Sequence, residues 1–205
     1  MTIDHTPRTH HVMAPPIEPI VRASTLPPAP WRNGAGVTRR IASGKTALDD
    51  IAPPDWTVSL ADIETDCAFS LFPGMHRTAV VVGDDAVDLT VNGTTHTLAL
   101  LDRIGFDGED DVRATPTRRP TRLLNLMCRR DTCAGTLTLR NVRGVHTIGA
   151  DDGVVLTVLA GSLTLGDQEI RRWDSVLLDG SPREVTGAAT VAVAHIRPST
   201  QESIS

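Results

Sequence analysis

VVVGDDAVDLTVNGTTHTLALLDRIGFDG, Val80 to Gly108, and VLAGSLTLGDQEIRRWDSVLLDG, Val158 to Gly180, are the two stretches that decide the fold. Each begins as an apolar strand ending in glycine (Gly83, Gly161) and continues as a second strand into a tight turn (Asn92-Gly93, Gly166-Asp167). Each then returns through a strand to an aspartate (Asp102, Asp174), and five residues later reaches Asp-Gly (Asp107-Gly108, Asp179-Gly180). Asn-Gly and Gly-Asp suit two-residue hairpins because their residues tolerate positive φ. The echo describes two jelly-roll halves.

Working outward, Trp56–Ile63, Thr78–Val82, Val87–Val91, Thr95–Leu100, Leu123–Arg129, Thr136–Val142, Val154–Leu159 and Ala189–Ile196 are rich in Val, Leu, Ile and Thr. Gly, Asp, Asn and Pro separate them, as in all-β sandwiches and barrels. No segment holds the apolar spacing of a long helix, and only a helical turn is expected around Thr46–Ile51. The expected fold class is therefore all-β, a double-stranded β-helix (jelly roll) of bicupin-like form. Its expected parts are a disordered leader over 1–19, an N-terminal lobe over 20–133, a C-terminal lobe over 134–198 and a tail over 199–205.

The 205 residues carry a net charge of -5, which argues against a nucleic-acid partner. No apolar run is long enough to span a membrane. Cys67, Cys128 and Cys133 are odd in number and lack CxxC spacing, so reduced thiols and a cytoplasmic location are expected. All but one (Lys45) of the 20 basic residues are arginine, so only an arginine in a special context carries weight. The HxH pair and following Glu of metal-binding jelly rolls are missing. His10 and His11 lie in the leader, and His5, His76, His96, His146 and His195 are scattered, so no metal and no cofactor are expected.

Three polar islands stand out. PWRNGAGVTRR (Pro30–Arg40) sets Trp31, Arg32, Asn33, Thr38, Arg39 and Arg40 around a flexible Gly34-Ala35-Gly36 hinge, a composition suited to an anion or to a polar turn. FSLFPGMHRT (Phe69–Thr78) forces a turn at Pro73-Gly74 that delivers His76 and Arg77 to the mouth of an apolar strand. In LLNLMCRR (Leu123–Arg130), alternation puts Leu124, Leu126 and Cys128 on one face and Asn125, Met127 and Arg129 on the other. A carboxamide and a guanidinium facing inward need a partner or a ligand, whereas facing outward they need none.

PWRNGAGVTRRIA, DWTVSLADI with CAFSLFPGMHRT, and LNLMCRR, in that order, resemble the HutD/Ves family, with a weaker likeness continuing to about Ile196. The resemblance implies a cytoplasmic bacterial protein of two-lobed, cupin-like β fold, associated with histidine utilisation, in which a regulatory role has been proposed. It further implies a pocket for an acidic intermediate such as N-formylglutamate or urocanate. By position, Trp31, Arg32, Asn33, Gly34, Gly36, Thr38, Arg39, Arg77, Asn125, Met127, Arg129 and Arg130 carry over. Ala35, Arg40, His76 and the Leu123-Leu124 pair depart from the family pattern.

The leading expectation is a metal-free cupin that binds a small carboxylate and modulates histidine or amino-acid catabolism. Arg39 and Arg77 would clamp carboxylates, Asn33, Thr38 and Asn125 would orient the rest, and Trp31, Arg32 and Arg129 would complete the lining. The rival is a metal-independent hydrolase, isomerase or lyase, for which His76 is the one acid/base candidate in an island. A third reading is an interaction module without a ligand. Cupins often dimerise, so a homodimer is compatible with this reading, though no sequence feature marks an interface.

Overall fold

The computed structural model describes residues 20–31, 36–46, 53–149 and 153–199. Short alternating segments can bury their apolar faces only by stacking as sheets, and sixteen strands form among the described residues. The first six are β1 (Ile20–Val21), β2 (Ala29–Pro30), β3 (Gly36–Gly44), β4 (Trp56–Ile63), β5 (Cys67–Ala68) and β6 (Met75–Val81). β7 (Val87–Val91), β8 (Thr94–Leu98), β9 (Arg103–Asp107), β10 (Val112–Pro116) and β11 (Thr121–Arg129) follow. The chain ends with β12 (Cys133–Ile148), β13 (Val155–Leu165), β14 (Gln168–Ile170), β15 (Ser175–Leu177) and β16 (Arg183–Pro198).

A middle sheet runs β2-β3-β4-β11-β6-β9, a smaller sheet β5-β10-β7-β8, and a third sheet β1-β15-β13-β16-β12 with β14 on β13. None closes on itself, so the chain is all-β but built as stacked open sheets rather than a closed barrel. The middle sheet has a core on each face. Leu124, Leu126 and Cys128 pack against Leu137, Val155, Leu159 and Ala194 of the third sheet. On the opposite face, Leu123, Ala79 and Val81 pack against Leu89, Val112 and Ala114 of the smaller sheet. The third sheet bends over a core of its own, including Val142, Leu156, Leu163, Val176 and Val185. Each such side chain contributes about 1.5–3 kcal/mol when fully buried.

The sequence echo reappears as one turn built twice. Leu101 (φ +72) and Trp173 (φ +73) both hold a left-handed backbone that costs a large side chain energy. In the first copy Asp102 receives the Ala99 N–H at 2.9 Å and returns its own N–H to the Ala99 carbonyl at 3.0 Å. In the second, Asp174 receives the Arg171 N–H at 3.2 Å and returns its N–H to the Arg171 carbonyl at 2.9 Å. Leu101 N–H then donates to Val81, and Trp173 N–H to Val158, at matching places. The Asn92-Gly93 hairpin, with φ of +48 and +82, joins β7 to β8 as its composition predicts.

The two halves are not assembled separately. β1 pairs with β15, and Arg22 bonds Asp174 at 2.9 Å, so the start of the expected N-terminal lobe lies in the third sheet. The expected leader, residues 200–205 of the tail and residues 47–51 of the expected helical turn lie outside the described residues. No helix among the described residues is long and apolar enough to cross a membrane.

Candidate functional site

The face of the middle sheet that meets the smaller sheet changes character along its strands. At one end Ala61, Ile63, Ala79, Val81 and Leu123 are covered and apolar. Toward the other end the same side of the pleat carries Thr57 and Ser59 on β4, Arg77 on β6, Asn125, Met127 and Arg129 on β11, and Thr38 and Arg40 on β3. There the smaller sheet gives way to the Phe69–Pro73 turn, Trp31 and Pro53-Pro54, which roof a pocket of about 590 Å³. No Asp, Glu, His, Cys or Lys lines it among the described residues, while three arginines do.

The roof is held rigidly. Gly74 takes φ +81 after Pro73, and its N–H donates to Glu109 Oε1 at 2.6 Å. Arg130 grips both oxygens of Glu109 at 2.7 and 2.8 Å and donates to the Met75 carbonyl at 3.1 Å. These bonds hold the Glu109 carboxyl down at about 2, the Arg130 fork being the main cause. Gly108 is required beneath the turn, because a Cβ there would overlap the Phe72 carbonyl.

Arg77 is the central feature of the pocket. Its side chain is 7% exposed, and its guanidinium lies 4.8 Å from the Phe69 ring centre, 5.0 Å from that of Phe106 and 5.7 Å from that of Phe72. No carboxylate among the described residues pairs with it, and its Nε has no hydrogen-bond partner there. Burial pushes its pKa down to about 10, so it stays cationic at neutral pH. Asn125, 3% exposed, presents an Oδ1 that likewise has no donor among the described residues. A buried cation and a buried acceptor left unpaired cost several kcal/mol between them unless a ligand meets them.

Trp31, Thr38 and Arg129 are engaged. Trp31 stands edge-on to Phe69 at 5.5 Å, and its Nε1 donates to Thr38 Oγ1 at 2.7 Å. Arg129 Nε lies 3.7 Å from Asp55, whose carboxylate also receives the Thr46 N–H and hydroxyl at 2.8 and 2.9 Å. Those bonds hold the Asp55 carboxyl below its ordinary range, the Thr46 N–H contributing most.

Of the residues singled out in the sequence, Trp31, Thr38, Arg77, Asn125 and Arg129 meet in this pocket. Arg32 and Asn33 lie outside the described residues. Arg39 does not join them. It pairs with Leu60 on β4, so its side chain takes the opposite face, where it binds Asp62 together with Arg122. Its neighbour Arg40, opposite Ser59, lines the pocket instead. His76 also faces away, with Nδ1 2.8 Å from Asp107. The three-phenylalanine cage and the hydroxyls of Thr57 and Ser59 were not anticipated. The register of β4 against β11 would have revealed the hydroxyls, whereas Phe106 comes from a distant strand. No group of three or more His, Cys, Asp or Glu among the described residues could hold a metal.

A family model described as HutD matches residues 23–194. Protein Ves of Citrobacter koseri is 38% identical over 140 residues, 67% of this chain and 71% of that one. The solved structure of HutD from Pseudomonas fluorescens is similar with a TM-score of 0.70 at 26% identity, covering 87% of this chain and 98% of that chain. A Cupin 2 conserved barrel domain protein from Leptotrichia buccalis shares the fold at 12% identity and a TM-score of 0.55, over 79% of this chain and 89% of that one. The fold is therefore cupin-like.

Proposed function

The chain belongs to the HutD family, and we propose that it binds a small carboxylate metabolite in the middle-sheet pocket and thereby modulates histidine or amino-acid catabolism in the cytoplasm. The carrying observation is the buried, carboxylate-free Arg77 guanidinium beside the unpartnered Asn125 Oδ1. A ligand carboxylate on Arg77 supplies the missing charge, and a ligand N–H donating to Asn125 supplies the missing donor. Arg40 and Arg129 would add positive potential at the rim, while Phe69, Phe72 and Met127 suit the carbon skeleton between polar groups. N-formylglutamate and urocanate both combine a carboxylate with an N–H. Among the described residues the lining holds no histidine, cysteine or carboxylate, and His76 faces elsewhere, which supports binding over acid/base turnover. The twice-built aspartate turn supports reading the chain as a duplicated, bicupin-like fold.

The test is a calorimetric titration of EDTA-treated protein with N-formyl-L-glutamate, with urocanate, histidine and glutamate as comparators. One-site binding that disappears in Arg77→Ala supports the reading. Equal affinity in wild type and Arg77→Ala would remove Arg77 from the site, and absence of heat with all four compounds would refute this ligand class.

A further inference from the structure

On the opposite face of the middle sheet, where it meets the third sheet, lies a notch of about 710 Å³. Its walls carry Arg22, Arg39, Arg122, Arg171, Arg172 and Trp173. The second aspartate turn builds it. The left-handed Trp173 aims its Nε1 at the Val82 carbonyl, 3.2 Å away, and Arg172 donates to the same carbonyl at 2.8 Å and to that of Leu159 at 3.0 Å. The guanidiniums of Arg122 and Arg172 lie 4.0 and 4.6 Å from the centre of the Trp173 ring. Residues from the sequence start, β3, β11 and the β14–β15 turn therefore converge on one space that the carboxylate pocket does not share.

The charges in this space do not balance. Asp174 pairs with Arg22 at 2.9 Å, Glu169 with Arg171 at 2.9 Å and Asp84 with Arg172 at 2.8 Å. Among the described residues, Arg39 and Arg122 have only Asp62 between them. Arg39 reaches it through Nη1 and Arg122 through Nε, so each keeps guanidinium N–H groups with no further acceptor among the described residues. A planar fork with a free edge matches an oxyanion. Because the free donors come from two strands and the other guanidiniums from two further elements, a tetrahedral group with several terminal oxygens fits better than a flat carboxylate.

We propose that this notch is a second anion site, which takes the phosphate group of a soluble phosphorylated small molecule between Arg39 and Arg122. It stands apart from the carboxylate pocket and does not depend on it. Arg39, which the sequence marks for ligand binding but the pocket does not use, is given a role by this site.

The experiment is calorimetric titration of the full chain with inorganic phosphate, with chloride adjusted to constant ionic strength. Wild type, Arg39→Gln, Arg122→Gln and Arg77→Gln are compared. Saturable one-site heat is expected for wild type, weakened about tenfold or more in Arg39→Gln and in Arg122→Gln. Arg122 covers Trp173, so if Arg122→Gln loses its cooperative thermal transition, Arg39→Gln decides alone. Absence of saturable heat in wild type, or undiminished affinity in Arg39→Gln, overturns the proposal. So does loss in Arg77→Gln with retention in Arg39→Gln, which would send phosphate to the carboxylate pocket. In a parallel arm, co-sedimentation with phosphatidylglycerol vesicles that Arg39→Gln abolishes would overturn the assignment to a soluble ligand in favour of a lipid headgroup.

Discussion

Replacing Arg77 with methionine should leave the stability of the ligand-free protein nearly unchanged while abolishing carboxylate binding. Burial lowers the Arg77 pKa to about 10, a penalty on the charged form of about 3 kcal/mol. Because the folded value lies below the unfolded one, this cost is present in full below about pH 10 and is relieved only at more alkaline pH. Mutation, not alkali, is therefore the practical probe. Methionine removes the charge, keeps an unbranched chain and can place its sulfur against the phenylalanine rings. Lost with the guanidinium are its contacts with Phe69, Phe72 and Phe106, each worth about 2 kcal/mol when desolvated, of which the methionine sulfur restores about 0.3–1.5 kcal/mol per ring. The opposing contributions nearly cancel, so Tm should stay within about 2–4 °C of wild type, the shift that about 1 kcal/mol makes in a chain of this size. Scanning calorimetry at pH 7 without ligand measures it. With N-formyl-L-glutamate at about 100 times its Kd, wild type should gain a further ~2.7 kcal/mol and the variant nothing. A variant that melts several degrees below wild type without ligand would show that the phenylalanine cage uses Arg77 as a structural cation, and the reasoning from an uncompensated charge would fail.

Asn125→Leu removes the unpartnered Oδ1 while keeping the same branched heavy-atom skeleton, and the pocket beside it can take the bulkier methyl groups, so it should leave Tm unchanged or higher while weakening N-formylglutamate about tenfold. Glutarate, which lacks the N–H, should bind both forms alike in the same titration, and a parallel loss for both acids would assign Asn125 a merely steric role. Gly108→Ala forces a Cβ into the Phe72 carbonyl and should displace the roof, costing about 1–3 kcal/mol by chemical denaturation together with ligand affinity. Unchanged stability there would mean that the turn is softer than its bonds to Glu109 and Arg130 suggest. Asp55 has a folded pKa below its unfolded one, so its contribution is present above the unfolded value near 3.8 and is lost as pH falls through the folded value. Asp55→Asn should therefore flatten the acid limb of the stability profile below about pH 4, and an unchanged limb would show that Arg129 and Thr46 do not hold this carboxylate.

The strand inventory was legible because alternation and turn chemistry are local. Trp56–Ile63 and Val87–Val91 form over the residues their composition indicates, and Asn92-Gly93 makes the hairpin that its φ tolerance predicts. The facing of β11 was legible for the same reason, since a period of two fixes Asn125 and Arg129 on one side once Leu124 and Leu126 are buried on the other. The fate of Thr38-Arg39-Arg40 was not. Adjacent strand residues point to opposite sides, so a motif of consecutive arginines must divide between two faces, and which member reaches the pocket depends on pairing with β4. Nor could the sequence show that β1 crosses to β15, because a two-residue strand carries no periodicity of its own.

Equivalent turns at Asp102 and Asp174 lead to opposite outcomes, and the difference lies in what the strands between them carry. In the third sheet the side chains turned inward include Leu156, Val158, Leu163, Val176, Val185, Val191 and Val193, which pack as one apolar cluster. On the other face of the same strands, Thr157 and Ser175 are buried and satisfy each other at 2.9 Å. On the middle sheet the inward positions toward one end are Thr57, Ser59, Arg77, Asn125 and Arg129, and neither Arg77 nor Asn125 finds its hydrogen-bond complement within the described chain. A core that satisfies itself stabilises the fold, whereas one that leaves a buried cation and a buried acceptor open gives up stability that only a ligand can restore. Conversion of the second arrangement into the first, by Arg77→Met with Asn125→Leu, should therefore give a form that is no less stable than the ligand-free wild type and the least ligand-responsive, measurable as a Tm that no carboxylate shifts.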